Sequence, residues 1–257
     1  MMPLLPGRRS AALPLRQQRG TVRAMPASRP GWNVFDERMP LLTYEYSFGP
    51  AMANALVARG AQGFVVVSPP RHVPAHDFDA LAARGPVRAL VASNAFHYLG
   101  IPEWKKRFPD AQIFAPAQSI ARVQRKTGLA GIKPLADIGA IAGADLELID
   151  MPYYKTGEVL VRATTGRGRA WYLTDIVLNM PELPSNVIAK AIFGLSRSAP
   201  GLRMNNVSPI FMVKDKRSLK RWLAAELERD APQWIIAAHG DVAKIDSCAE
   251  TARRLFG

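Results

Sequence analysis

Two histidines and one aspartate stand at the ends of apolar runs whose composition is typical of buried strands. His97 follows the run Val87 to Val91 and a short polar turn, Asp175 ends the run AWYLTD, and His239 ends the run QWIIAAH. α/β folds bind ligands at strand ends, where the loops leave a crevice. Imidazole and carboxylate groups there predict a ligand site. The structural alternative is that the histidines are merely hydrogen-bonded and the aspartate caps a turn.

Over residues 60–257, four phrases of the sequence resemble the metallo-β-lactamase superfamily and occur in the same order. Members of that superfamily follow a strand with the motif HxHxDH and a helix ending in a phrase like FPDA, and residues 87–116 have this layout. The last histidine of the motif falls on His97. Its aspartate is replaced by Phe96, and its first two histidines are replaced by Ala92 and Asn94.

The other three phrases lie further along the chain. YLTD ends at Asp175, where the superfamily has a phrase like LFTGD whose aspartate bridges two metals. IIAAHGD contains His239, where a phrase like IVPGHG carries a metal-binding histidine, and PYYKTGEVLV resembles GHTPGSVVL with Tyr154 in place of its histidine. The resemblance implies that His97, Asp175 and His239 hold one divalent metal (Zn, Fe or Mn), with His97 and Asp175 in catalytic roles. A chain that has lost its metal is the alternative.

Four further residues are candidates for substrate binding. Asn94 occupies a former ligand position, and Tyr154 and Lys155 lie at the mouth of the predicted cleft, where solvated surface is the alternative. His72 belongs to a loop that lies near the active site in the superfamily, and a solvent-exposed histidine is the simpler interpretation. The basic run Lys105 to Arg107 would attract a phosphate or carboxylate, so we expect a small anionic ligand.

The net charge of +13 over 257 residues is unevenly distributed. Residues 1–30 contain six arginines and no acidic residue, which predicts a disordered basic leader or a mis-assigned start; an organellar transit peptide is a minor alternative. No aromatic residue interleaves these arginines, so nucleic acid is not the favoured partner. No apolar run approaches the roughly 18–20 residues that span a bilayer, which predicts no membrane partner. The single cysteine, Cys248, favours a reducing, cytoplasmic compartment.

Residues 31–257 are predicted to form one α/β domain, and the resemblance implies a four-layer αββα sandwich of the metallo-β-lactamase type. The β-branched run at 64–68 predicts a buried strand, and the apolar stripe of 216–230 predicts a helix. Residues 50–60, which end in a glycine, also predict a helix. Residues 176–212 contain four prolines and predict a long irregular segment around a short helix at 186–195, of the kind that forms a lid or a substrate wall.

Functions from three classes remain open at this point. The first is a divergent hydrolase with at most one metal, acting on an ester-like or phosphoester bond. The second is a non-catalytic domain of the same fold that binds a small anion or serves as a scaffold. A nucleic-acid-associated protein is motivated by net charge alone. The sequence gives no indication of the oligomeric state.

Overall fold

The computed structural model describes residues 31–38, 40–48 and 51–257. Within these residues the strands are β1 Trp32–Asp36, β2 Leu41–Phe48, β3 Ala51–Arg59, β4 Phe64–Val67, β5 Val87–Val91, β6 Gln112–Ala115, β7 Lys133–Pro134, β8 Leu146–Asp150, β9 Val159–Thr165, β10 Gly168–Met180, β11 Gly201–Met204, β12 Trp234–Gly240 and β13 Val242–Lys244. The helices are α1 Ala75–Arg84, α2 Ile101–Arg107, α3 Ile120–Thr127, α4 Gly139–Ala142, α5 Val187–Leu195, α6 Pro209–Met212, α7 Lys216–Asp230 and α8 Cys248–Phe256.

The strands form two mixed sheets that pack face to face. The first sheet has the order β1-β2-β3-β4-β5-β6-β7, and the second has the order β13-β12-β10-β9-β8, with β11 paired to β10. Side chains from both sheets fill one apolar core between them, including Val67, Val91, Phe114, Val161, Tyr172 and Ile236. This burial is what fixes the two sheets against each other.

Helices cover the outer face of each sheet. Trp104 of α2 and Phe78 of α1 belong to an apolar cluster on the first sheet, and Leu219 and Leu223 of α7 belong to another on the second. The layers are therefore helix, sheet, sheet and helix, and the predicted αββα sandwich is confirmed. Helix α7 spans the predicted residues, and its first turn is capped by Asp215, whose side chain accepts a hydrogen bond from the Ser218 N–H.

The prediction of a helix over residues 50–60 is wrong, because residues 51–59 form strand β3. This strand is hydrogen-bonded to β2 on one side and to β4 on the other. Alanine favours helix locally, but pairing on both edges and the burial of residues 55–58 on both faces of the sheet override that weak preference. Strand β3 also ties the two sheets together, since the Asn54 side-chain amide donates to the carbonyls of Ala237 and Gly240 in β12.

Residues 176–212 are more regular than the sequence indicated. Strand β10 continues to Met180, and β11 returns antiparallel to it, so the irregular parts are the connection around α5 and the short loop of residues 205–208 before α6. The predicted short helix is confirmed as α5. Residues 1–30 and the Gly49-Pro50 turn lie outside the described residues. A single domain over 31–257 stays a prediction.

Among the described residues, none of the helices is both long and apolar enough to cross a membrane.

Candidate metal site

The three candidate ligands are positioned by irregularities in the second sheet and by a loop of the first; Asp175 does not end its strand as expected but lies within β10. Asp175 lies where β10 has left its partner β9, after Leu173, and has not yet begun its pairing with β11 at Val177. The pairing of β10 with β12 is also shifted between Leu173 and Leu178, and His239 lies opposite Leu178. This break in the ladder frees the Asp175 side chain to face the end of β5, where His97 follows.

The three side chains meet in one place. One ligand atom from each of His97, Asp175 and His239 lies within 4.8 Å of the others. Asp175 Oδ1 is 3.1 Å from His239 Nε2 and 3.4 Å from His97 Nε2, and the two imidazole centroids are 5.6 Å apart. The side chains of Asp175 and His239 are 17% and 15% exposed, so a small ion can reach them from solvent. Two imidazoles and one carboxylate at these distances fit a divalent cation.

The orientation of the His239 ring favours a positive charge between its Nε2 and the Asp175 carboxylate. Its Nδ1 lies 2.9 Å from the carbonyl oxygen of Met52, which can only accept, so Nδ1 carries a proton and donates it. In a neutral ring, Nε2 would then present a lone pair to the Asp175 carboxylate. That contact becomes attractive only when Nε2 is protonated or when a cation lies between the two groups. The buried Nδ1 of His97 has no hydrogen-bond partner among the described residues.

A second cluster consists of the fully buried side chains of Asn94 and Glu158, which are hydrogen-bonded to Asp175. The Asn94 amide nitrogen donates to Glu158 Oε2 at 2.8 Å and to Asp175 Oδ2 at 2.6 Å. The backbone N–H of Asp175 donates to Glu158 Oε1 at 3.0 Å. Asn94 Oδ1 in turn accepts the backbone N–H groups of Phe96 and His97, which fixes the amide orientation. Sequence reasoning missed Glu158, for which the only signal was an acidic residue at the start of the apolar run EVLV.

The two carboxyl groups of this cluster have pKa values displaced in opposite directions. Complete burial, with the charge of Asp175 added, raises the pKa of Glu158 well above its ordinary value, against the hydrogen bonds that it accepts. Burial also acts to raise the pKa of Asp175, but His97 and His239 together outweigh it and hold that pKa well below 3.8. The pKa of Glu158 is thus displaced upward and that of Asp175 downward, an opposition typical of functional sites.

Of the four predicted substrate-binding residues, two are exposed in the structure and two are buried. Lys155 and His72 are exposed, and the His72 backbone N–H donates to Glu103. Asn94 is fully buried, with both polar atoms engaged, and Tyr154 is 3% exposed in the apolar cluster beneath α7. The expected surface position of Tyr154 is wrong, because its backbone bridges Val213 and draws the ring inward. The structure gives no support to substrate contacts by Asn94 or Tyr154.

The metal-free protein is expected to lose stability as pH rises through the pKa of His239. Burial lowers that pKa, but the hydrogen bond and charge of Asp175 outweigh burial and raise it above 6.5. A raised histidine pKa stabilises the fold fully below the unfolded value and loses this contribution above the folded value. We expect the urea midpoint of wild type, measured in chelator, to fall relative to that of His239→Gln from mildly acidic to alkaline pH. A constant difference would contradict the assignment.

Comparison with known proteins identifies the fold. No family model matches the sequence, and the curated proteins give no match. A metallo-β-lactamase from Hirschia baltica superposes with a TM-score of 0.52 at 13% identity, covering 86% of this chain and 95% of that one. The FIM-1 metallo-β-lactamase from Pseudomonas aeruginosa, in its mono-zinc form, gives 0.54 at 14% identity, with 86% and 94% covered. A diflavin flavoprotein fragment from Nostoc sp. gives 0.57 at 8% identity, with 88% and 95% covered. The resemblance found in the sequence is thus confirmed for the fold.

Proposed function

We propose that this chain, which has the metallo-β-lactamase fold, is a hydrolase that binds one divalent metal through His97, Asp175 and His239. The supporting observation is the contact between an ionised carboxylate and two imidazole Nε2 atoms, one of which belongs to a ring whose Nδ1 is committed to a carbonyl. Metal-binding histidines usually donate their second ring nitrogen to such an acceptor. A divalent zinc, iron or manganese ion satisfies this donor set.

The same residues argue for one metal rather than two. The Asn94 amide donates a hydrogen bond to Asp175 Oδ2, and Asn94 Oδ1 accepts two backbone N–H groups, so Asn94 offers no ligand atom for a second ion. Glu158 accepts the second hydrogen bond of the Asn94 amide and is fully buried, and this burial raises its pKa. Ala92 and Tyr154 are buried apolar positions where the superfamily has imidazoles. These side chains therefore support a site for one metal ion, bound by His97, Asp175 and His239.

The reaction we propose is hydrolysis of an ester-like or phosphoester bond. A bound divalent ion would supply Lewis-acid polarisation of a substrate oxygen and would lower the pKa of a water molecule. Asn94 and Glu158 hold the Asp175 carboxylate with Oδ1 toward the two imidazoles, which pre-organises the site. Arg122 stacks 4.8 Å over the ring of Phe96, the residue before His97, and adds positive charge that favours an anionic substrate. Lys155 is a further exposed cation, three residues before Glu158.

A non-catalytic binding domain of the same fold is the second candidate. The observation that favours it is Phe96, an exposed aromatic ring that stands where the superfamily has an acidic ligand. In that case a proton on His239, rather than a metal, supplies the positive charge facing Asp175. We place the protein in a reducing, cytoplasmic compartment for either function. Burial raises the pKa of the lone Cys248, which makes it a poor nucleophile.

Metal analysis of the full chain separates these two candidates. We expect the purified protein to contain about one equivalent of Zn, Fe or Mn per chain, because the donor set holds one ion. Hydrolysis of bis(p-nitrophenyl) phosphate or p-nitrophenyl acetate should stop after chelation and return when the metal is restored. A metal-free sample whose melting temperature is unchanged by added Zn, Fe or Mn would support the binding domain and contradict the hydrolase.

A further inference from the structure

Helix α5 exposes its apolar face to solvent instead of burying it. At 3.6 residues per turn, five of its apolar side chains lie within an arc of about 140°. These residues are Val187, Ile188, Ala191, Ile192 and Leu195, and all of them are exposed. Val187 is 79% and Leu195 87% exposed, and no residue of the helix is buried. A surface helix normally turns this face to the core, so α5 lacks a partner for it within the described residues.

The short helix α6 extends the apolar surface toward the candidate site. Ile210 and Phe211 are 65% and 75% exposed. Hydrogen bonds join the two helices, because Asn206, just before α6, donates to the backbone carbonyl of Ser196 and to the Ser198 hydroxyl at the end of α5. Asn205 and Ser208 also donate to the Asp175 carbonyl. We name the exposed side chains of α5 and α6 the α5–α6 surface; the segment before α6 is hydrogen-bonded to the backbone of Asp175.

The α5–α6 surface exposes more apolar area than single apolar residues scattered over a protein surface do. Six large apolar side chains (Val187, Ile188, Ile192, Leu195, Ile210 and Phe211) are between 45% and 87% exposed. Together they expose several hundred Å², and contiguous patches on the order of 300–600 Å² on a monomer are often functional. The elements that carry them are joined by the contacts of Asn206, so they form one region of the molecule.

Exposed basic residues lie on or directly after the two helices that carry the α5–α6 surface. Residues 181–217 contain six basic and two acidic side chains. Lys190 lies on α5, Arg197 follows it and Lys214 follows α6, and all three are exposed. None of the three forms an ion pair with another described residue. Apolar side chains flanked by free cations match a surface that is both apolar and anionic.

We propose that the α5–α6 surface binds the surface of a bilayer that contains anionic phospholipids. Its apolar side chains would enter the region between headgroups and acyl chains, while Lys190, Arg197 and Lys214 would contact the lipid phosphates. A second copy of the chain fits less well, because a symmetric contact would bring these unpaired cations together. The sequence-based prediction of no membrane partner rested on spanning length, and a helix lying in the interface needs no span.

Vesicle binding by the full chain tests this proposal. We expect wild type to sediment with vesicles of phosphatidylcholine and phosphatidylserine, and less with vesicles of phosphatidylcholine alone. The double variant Ile188→Gln/Leu195→Gln should bind the anionic vesicles at least about tenfold more weakly, since two inserted side chains are lost. Lys190→Glu should weaken binding about fivefold or more. These side chains are exposed, so circular dichroism melts should be unchanged.

The matched control for charge is Lys126→Glu, which makes the same change on α3 against the other sheet. It should alter vesicle binding less than Lys190→Glu does. Residues 1–30, with six arginines, are present in every variant and contribute equally. Equal binding by wild type and the double variant would overturn the proposal. It would also be overturned if wild type forms a dimer that the double variant lacks while vesicle binding is unchanged, which would identify a second copy as the occupant.

Discussion

Asp175→Asn is expected to retain the fold and to lose the metal. Asparagine has the same shape, and its carbonyl oxygen can still accept the hydrogen bond from the Asn94 amide that Asp175 Oδ2 accepts now. What disappears is the negative charge facing His97 and His239 at 3.4 and 3.1 Å. Removing partners outside the ligand shell already costs about 10–100-fold in metal affinity. Loss of the only anionic ligand should therefore cost at least about a hundredfold.

Titration of the metal-free protein with Zn(II), together with elemental analysis after dialysis, measures this effect. The matched control is Asp241→Asn, which removes the same charge two residues after His239 from an exposed side chain. The backbone of Asp241, rather than its carboxylate, makes the hydrogen bonds to Asn179 that end β12, so the control should keep its fold and metal. If Asp175→Asn bound Zn(II) as tightly as wild type, His97 and His239 would not share an ion with Asp175.

Glu158→Ala is expected to destabilise the protein by about 2–4 kcal/mol, because it leaves a cavity and an unsatisfied buried donor. The Asp175 N–H would lose its acceptor, and Asn94 would keep only one of its two acceptors. Metal affinity should fall by about 10–100-fold, since the group that orients Asp175 is gone. Urea unfolding and Zn(II) titration measure the two effects separately.

Glu228→Ala is the matched control for this substitution. Glu228 is exposed on α7, and its loss should change the free energy of unfolding by less than about 0.5 kcal/mol. A Glu158→Ala variant with wild-type metal affinity would show that the buried acid is only part of the core. If its stability were also unchanged, the hydrogen bonds from Asn94 and Asp175 to Glu158 would contribute nothing.

Three site residues could be predicted from the sequence because each ends a recognisable apolar run. The resemblance placed His97, Asp175 and His239 together, and the structure brings their ligand atoms within 4.8 Å. Whether they hold a metal stays a proposal. The sequence analysis treated Asn94 as a lost ligand and a candidate for substrate binding, whereas its amide is the centre of the buried cluster that holds Asp175.

Two misjudged segments show where local reasoning fails. The sequence of β3 predicts a helix because its alanines favour helix in isolation. In the structure, both edges of this strand are hydrogen-bonded to neighbouring strands of the sheet. Helix α5 was predicted at the correct place, but its amphipathic pattern normally indicates a buried face. Only the structure shows that this face is turned outward. Both outcomes depend on what surrounds the segment and not on the segment itself.

The sequence by itself determined many of the strands and helices, because the spacing of apolar residues is a local property of the chain. Its resemblance to the metallo-β-lactamase superfamily, carried by four short phrases in the same order, implied the sandwich fold and the three residues that meet at the site. Only the tertiary structure decided that Glu158 would be buried opposite Asn94, 64 residues away, and joined to it across an isolated bridge between the two sheets. Burial and the charge of Asp175 raise the pKa of Glu158, and neither exists until the sheets have packed.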